Sequence, residues 1–321
     1  MAIEHARAHA LPKPWGVTDL RPWCNAHHDG GPIGEIWYER PGRAAADPSL
    51  LLKLLFTRQP LSIQVHPDDA FARSMGLPRG KSEAWYILSA APEGKVALGL
   101  KQHMTPQQLR DAVNDGSISN LVVWRAVSPD DVLSVPAGTI HAIGAGLVIA
   151  ELQQRSDATF RLFDHGRQRE LHIESAMAVS NIGPADFQVQ SNRLTDERTL
   201  LVSSPHFVFE KIDLPPNSAW WLEADRETWL LVLSGGARTG SFDITIGDAV
   251  FAQSDRVTIH AGASGMVGLV AYTGGGQVPH LLQRLEQSDV TDTGRPQEVQ
   301  VPTSLIRATM VPTNGRLETT K

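Results

Sequence analysis

Only one cysteine, Cys24, occurs in the 321 residues. No disulfide can form within the chain, which fits a reducing compartment. Apolar runs stay short: no window approaches the roughly 18 residues that a membrane helix needs. The first dozen residues lack the apolar stretch of a secretory signal. Basic residues form no block, and 29 Lys and Arg against 35 Asp and Glu leave a net charge of −6, which gives no support to a nucleic-acid partner. These absences leave a cytoplasmic enzyme or binding protein as the expectation, with neither membrane nor nucleic acid as partner. The hydrophobic content of 41% suffices for one large or two ordinary domains.

What is present is period-two alternation in short runs, at residues 61–66, 83–88, 147–153, 228–233 and 266–272. Gly, Pro, Asp and Ser separate them. Many short strands at such spacing predict an all-β sandwich or barrel. Helical signals are few: a short one over residues 68–75, and a clearer one over 105–113 with Thr105 as N-cap and Pro106 at the first helical position.

A weak internal repeat divides the chain. Glu83-Ala84-Trp85 is followed by Thr139-Ile140-His141-Ala142, and Glu227-Thr228-Trp229 by Thr258-Ile259-His260-Ala261. The order predicts two β-barrels, over residues 1–190 and 191–321, joined around residues 181–198. The tail from about Gln283 is polar and reads as extended or mobile, with Leu305 and Ile306 docking on a barrel.

The first barrel carries a candidate metal set. In the run Leu61-Ser62-Ile63-Gln64-Val65-His66-Pro67, alternation puts Leu61, Ile63 and Val65 on one strand face and Ser62, Gln64 and His66 on the other. A polar inner face is costly unless its groups find partners. Lys81 and Glu83 likewise share a face, and the turn Pro136-Ala137-Gly138 delivers His141 onto the next strand. Gln64, His66, Glu83 and His141 make a mixed N/O donor set suited to zinc. Leu147, Ile149, Glu151 and Gln153 share another face, ten residues after His141. Glu151 there reads either as a general base or as a group bracing a metal ligand. In the second barrel no Gln-x-His precedes Glu227. Ser218-Ala219-Trp220-Trp221-Leu222 stands there instead, so that barrel reads as structural or as a wall of the pocket.

Pro136-x-Gly138-x-x-His141 matches the second cupin signature. Gln64-x-His66 stands where many cupins have His-x-His. With Lys81-x-Glu83, His141-Ala142, the segment 151–161 and the opening Trp15-Gly16 and Gly34-Glu35-Ile36-Trp37, the chain resembles short bacterial type I mannose-6-phosphate isomerases from about residue 12 to 275. The resemblance implies two cupin-type jelly-roll barrels with a few short helices. The large helical domain of longer members is absent; only the insert around 105–113 remains. It further implies one Zn2+ per chain and interconversion of mannose 6-phosphate and fructose 6-phosphate through a cis-enediol. Arg161, Glu151 and Lys81 are then the catalytic candidates, and Ser62, Lys53 and Arg167 the contacts to a sugar phosphate. Two alternatives stay open: a zinc cupin acting on another phosphorylated sugar, or a sugar-binding cupin without turnover. His27, His28, His103, His165 and His172 read as surface or structural residues.

Overall fold

The order of apolar and polar residues along each strand decides how the sheets stack. A computed structural model describes residues 3–24, 31–41, 47–186 and 189–285. His27, His28, Leu305 and Ile306 lie outside them. The described residues are mostly strand, with four short helices, Asp69–Ser74, Pro106–Asn114, Ile118–Leu121 and Ile173–Val179. Both helices expected from sequence form. Asp68 caps the first by accepting from the Phe71 N–H, and Thr105 and Gln108 close a capping box on the second.

Three antiparallel sheets are stacked. A six-stranded sheet runs in the order Arg7–Val17, Ile33–Glu39, Leu50–Thr57, Leu147–Gln154, Glu83–Ala90, Val132–Val135. A five-stranded sheet runs Phe160–Phe163, Ile63–Val65, His141–Ile143, Lys95–Leu100, Val122–Ala126. Apolar residues of both, among them Leu55, Trp85, Leu98, Ile143 and Ile149, fill the space between them. The outer face of the five-stranded sheet packs Ile63, Val65, Ala142 and Leu162 against Leu109 and Val113 of one helix and Ala176 of another. The outer face of the six-stranded sheet packs Leu52, Leu54 and Leu152 against Phe209, Trp229, Leu231 and Phe251 of a ten-stranded sheet. Each such wholly buried side chain contributes about 1.5–3 kcal/mol. This explains why the Leu50–Thr57 strand is buried along both faces: Lys53 and Leu55 point one way, Leu52 and Leu54 the other.

The second half has its own apolar interior, where Trp220 and Leu222 pack on Val257 and Ile259, as their position in place of ligands predicts. Both ends of the described chain pair into the second half. Glu4–His5 pairs with Ala249–Ala252, so the first residues join the sheet of the second half. The last described strand, Leu282–Arg284, pairs with Ala219–Ala224. In both cases a free strand edge recruits a neighbour whose sequence alone carries little strand signal.

Glu227 has become a staple between the halves. Its carboxylate accepts from the Ser49 and Leu50 N–H groups at 2.6 and 2.8 Å and from Trp229 Nε1 at 3.2 Å. His260 is exposed.

Candidate active site

The site is built from strand register on two facing sheets. On the five-stranded sheet Gln64 lies opposite His141 on one side and Arg161 on the other. On the six-stranded sheet Glu151 lies opposite Lys53 and Trp85, and Lys53 opposite Trp37. Alternation turns these side chains inward while their neighbours Ile63, Val65, Leu54 and Leu152 enter the outer cores. Leu61 departs from the expected face: it precedes the strand and packs in the inner core with Trp15 instead of beside Ile63 and Val65.

His66, Glu83 and His141 converge from both sheets, their ligand atoms within 4.8 Å of one another. His66 Nδ1 faces the Ala158 carbonyl at 2.8 Å, and His141 Nδ1 the Thr139 carbonyl at 2.8 Å. Each ring thereby donates through Nδ1 and turns an Nε2 lone pair toward Glu83, at 3.3 and 3.8 Å. The turn before His141 is fixed by Gly138, whose φ of 84° favours glycine. Its N–H donates to the His66 carbonyl at 2.8 Å, so the two histidines are set by one loop contact.

Both Glu83 carboxylate oxygens are buried without a well-formed hydrogen bond, although Lys81 Nζ stands 2.8 Å from Oε1. Orphaned carboxylate oxygens facing two imidazole lone pairs are what a bound cation would satisfy, and nitrogen and oxygen donors suit a transition metal. Protonation states agree. Burial, helped by Lys81, pulls the His66 imidazole down to about 3. Burial also lowers His141. For Glu83 burial acts upward, but Lys81 and His66 outweigh it and hold the carboxyl well below its ordinary value. All three are in the metal-binding form at neutral pH.

Gln64 adjoins this group with its nitrogen: Nε2 lies 3.3 Å from His141 Nε2, and Oε1 accepts from the Ser62 hydroxyl at 2.9 Å. Turning the amide end for end would present the oxygen, and Ser62 could then donate no longer but accept. Ser62 therefore orients Gln64.

Beside the metal set opens a cavity of about 450 Å³. Of the expected site residues, Lys53, Ser62, Gln64, Lys81, Glu151 and Arg161 line it. Glu151 is buried between Lys53 Nζ at 3.2 Å and Trp85 Nε1 at 3.0 Å. Burial and the nearby Glu83 raise its pKa, against the pull of Lys53 and Lys81. Lys81 stays protonated: burial lowers it, but Glu83 and Glu151 prevail. Arg167 does not line the cavity. Its guanidinium donates to Asp164 at 2.9 Å and to the Pro60 carbonyl at 2.9 Å. Arg169 and His172 line it instead, and so do Lys13, Glu35 and Trp37. Alternation over residues 33–39 could have located Glu35 and Trp37 on one face. Nothing local distinguishes Arg169 from Arg167, because both follow a strand end in an irregular turn. His103 and His165 are absent from the lining; His165 donates from Nε2 to the Leu61 carbonyl at 2.9 Å.

This architecture and site can be set beside known proteins. The chain is 36% identical over 215 residues to a mannose-6-phosphate isomerase of Streptococcus mutans, a match covering 62% of this chain and 65% of that relative. It is 31% identical over 229 residues to a probable mannose-6-phosphate isomerase of Bacillus subtilis, covering 65% of this chain and 70% of the relative. The chain belongs to the mannose-6-phosphate isomerase family. The match to the first of these relatives spans slightly less than two thirds of its length. No family model matches the chain. In fold, it superposes on the mannose 6-phosphate isomerase from Bacillus subtilis with a TM-score of 0.75 at 22% identity, covering 85% of this chain and all of that one. A phosphomannose isomerase from Salmonella typhimurium gives 0.67 at 15% identity over 85% of this chain and all of its own. The cupin-type, mostly β fold of the family is thus established. Cavity-lining residues run from Lys13 to His172, and among the described residues the second half contributes none.

Proposed function

We propose that this chain is a zinc-dependent isomerase that interconverts mannose 6-phosphate and fructose 6-phosphate through a cis-enediol. The observation that carries the proposal is a metal-competent His-Glu-His group standing beside one cavity that a buried carboxylate and several cations line. We place the catalytic machinery in residues 1–190 and assign the second barrel a supporting role. With a single cysteine, the enzyme suits a cytoplasmic setting.

His66, Glu83 and His141 would hold the ion, joined by Gln64. When bound, zinc supplies Lewis-acid polarisation of the sugar oxygens. The rest is done by side chains. Glu151 takes the proton from C2 of the aldose to leave the enediol and returns it to the adjacent C1, while the hydroxyl proton of O2 passes to O1 so that the ketose is neutral at both oxygens. Its raised pKa makes it a stronger base than an ordinary carboxylate. Lys53, paired with it and stacked 4.8 Å from the Trp37 ring centre, fixes its direction. Lys81 and Arg161 face the same space and donate N–H bonds to oxygen as negative charge grows there. The phosphate needs cations, and the cavity supplies them.

The test is direct. The purified protein is analysed for bound metal, then given mannose 6-phosphate and, separately, other aldose phosphates, with ketose formation followed by NMR. Bound zinc and faster turnover of mannose 6-phosphate than of the other aldose phosphates are expected. Zinc-loaded protein that turns over another aldose phosphate faster, or none, would overturn the assignment.

A further inference from the structure

The cations lining the cavity are not equivalent. Lys13, Lys53, Lys81 and Arg169 each have a carboxylate within 3.3 Å, respectively Glu35, Glu151, Glu83 and Asp164. Arg161 lines the same cavity and, among the described residues, its guanidinium has no ion pair or hydrogen bond. It is a positive charge awaiting an anion. Burial and the neighbouring Arg169 both lower its pKa, as expected where like charges are crowded.

The segment after Arg161 explains how this end of the cavity is held. Asp164 is buried. It accepts a two-pronged contact from Arg169, Nε to Oδ2 at 2.7 Å and Nη2 to Oδ1 at 2.6 Å. The same carboxylate accepts from Arg167 Nε at 3.1 Å and Nη2 at 2.9 Å. Arg167 spans onward to the Pro60 carbonyl, and His165 to the Leu61 carbonyl. These carbonyls immediately precede Ser62, whose hydroxyl orients Gln64. His172 is tied to Arg161 twice: its N–H donates to the Arg161 carbonyl at 2.9 Å, and its Nδ1 accepts from the Arg161 N–H at 3.3 Å. Two guanidiniums, those of Arg167 and Arg169, therefore share one carboxylate beside Arg161, and the exposed Glu170 forms no ion pair with any of the three. Positive charge is in excess where the cavity wall is most firmly braced.

From this placement we infer that Arg169 and His172, together with Arg161, form the phosphate-binding end of the cavity, and that Asp164 is the positioning residue that aims Arg169 there while Arg167 acts as a strut outside it. The inference rests on the reading of the site as one for a sugar phosphate. Its ligand chemistry is a tetrahedral oxyanion, for which a planar guanidinium offers paired donors. Arg169 keeps free donors for it, because the Asp164 contact uses only Nε and Nη2.

The experiment uses the full-length, metal-loaded protein and two readouts. Inorganic phosphate binding is measured by calorimetry, and KM and kcat are measured with mannose 6-phosphate. Arg169→Gln should weaken phosphate and raise KM about ten- to a hundredfold, the worth of a charge-assisted contact, with a smaller change in kcat and unchanged metal content. Arg169→Lys should recover part of the loss. Asp164→Asn should raise KM in the same direction, and Arg167→Gln should do so by less than threefold. An Arg167→Gln defect equal to that of Arg169→Gln, a KM within twofold of the parent in Arg169→Gln, or no phosphate binding by the parent protein would overturn the inference. If the parent binds phosphate, loses it in Arg169→Gln, and yet isomerises no mannose 6-phosphate, the anion site stands and the isomerase reading falls.

Discussion

Replacing Glu151 by Gln removes a proton acceptor and almost nothing else. The amide has the shape of the carboxylate, and its oxygen can still accept from Trp85 Nε1, now 3.0 Å away. What is lost is the charge facing Lys53 at 3.2 Å. Stripping one partner from a fully buried pair costs about 3–5 kcal/mol. Lys53 has relief, since its ammonium lies near the Trp37 ring and lines a cavity open to water, so a loss on the order of 1–2 kcal/mol is expected. That leaves the chain folded at ordinary stabilities. Proton transfer should fall about 10²–10⁴-fold, the usual worth of a general base. The rival role, bracing a metal ligand, predicts a loss of about 10–100-fold in metal affinity. The geometry disfavours it, because Glu151 bonds to Lys53 and Trp85 and to none of His66, Glu83 or His141. Metal content, melting temperature and solvent-deuterium incorporation at C1 and C2 are measured on the same sample. The pH profile adds a second check. A base with a raised pKa is protonated, and exchange lost, as pH falls through that value, so the acid limb should lie above the ordinary carboxylate value of 4.5 and should be absent from the residual rate of Glu151→Gln. Exchange within tenfold of the parent at full metal occupancy would refute the argument and move the chemistry to another group, Lys81 first.

His141→Ala should release most of the metal while His260→Ala releases none, giving one ion per chain by elemental analysis with bond lengths of about 2.0–2.2 Å in an absorption spectrum. Arg161→Ala should retain metal and melting temperature but lose on the order of 100-fold in isomerisation rate, read by a coupled ketose assay. Glu227→Ala should leave metal content unchanged and destabilise the chain by about 2–4 kcal/mol in urea unfolding, since the buried Leu50 N–H and its Ser49 neighbour lose their acceptor.

Much of this was legible along the chain because a strand writes its two faces at period two. Ser62, Gln64 and His66 on one side, Ile63 and Val65 on the other, already separate site from core, and Pro136-x-Gly138 already delivers His141. The capped helix at Pro106 was equally readable, because a cap is a local contact. The rest depends on what lies across space. Register, set by pairing between distant strands, decides that Glu151 meets Lys53 and Trp85. Sheet stacking decides that Glu227, which repeats Glu83 in sequence, finds two N–H groups instead of two imidazoles and becomes a staple. The turn after the Phe160–Phe163 strand decides which arginine faces the cavity: a turn has no period, so Arg167 and Arg169 look alike in sequence, and around the shared Asp164 carboxylate one reaches a backbone carbonyl while the other lines the cavity.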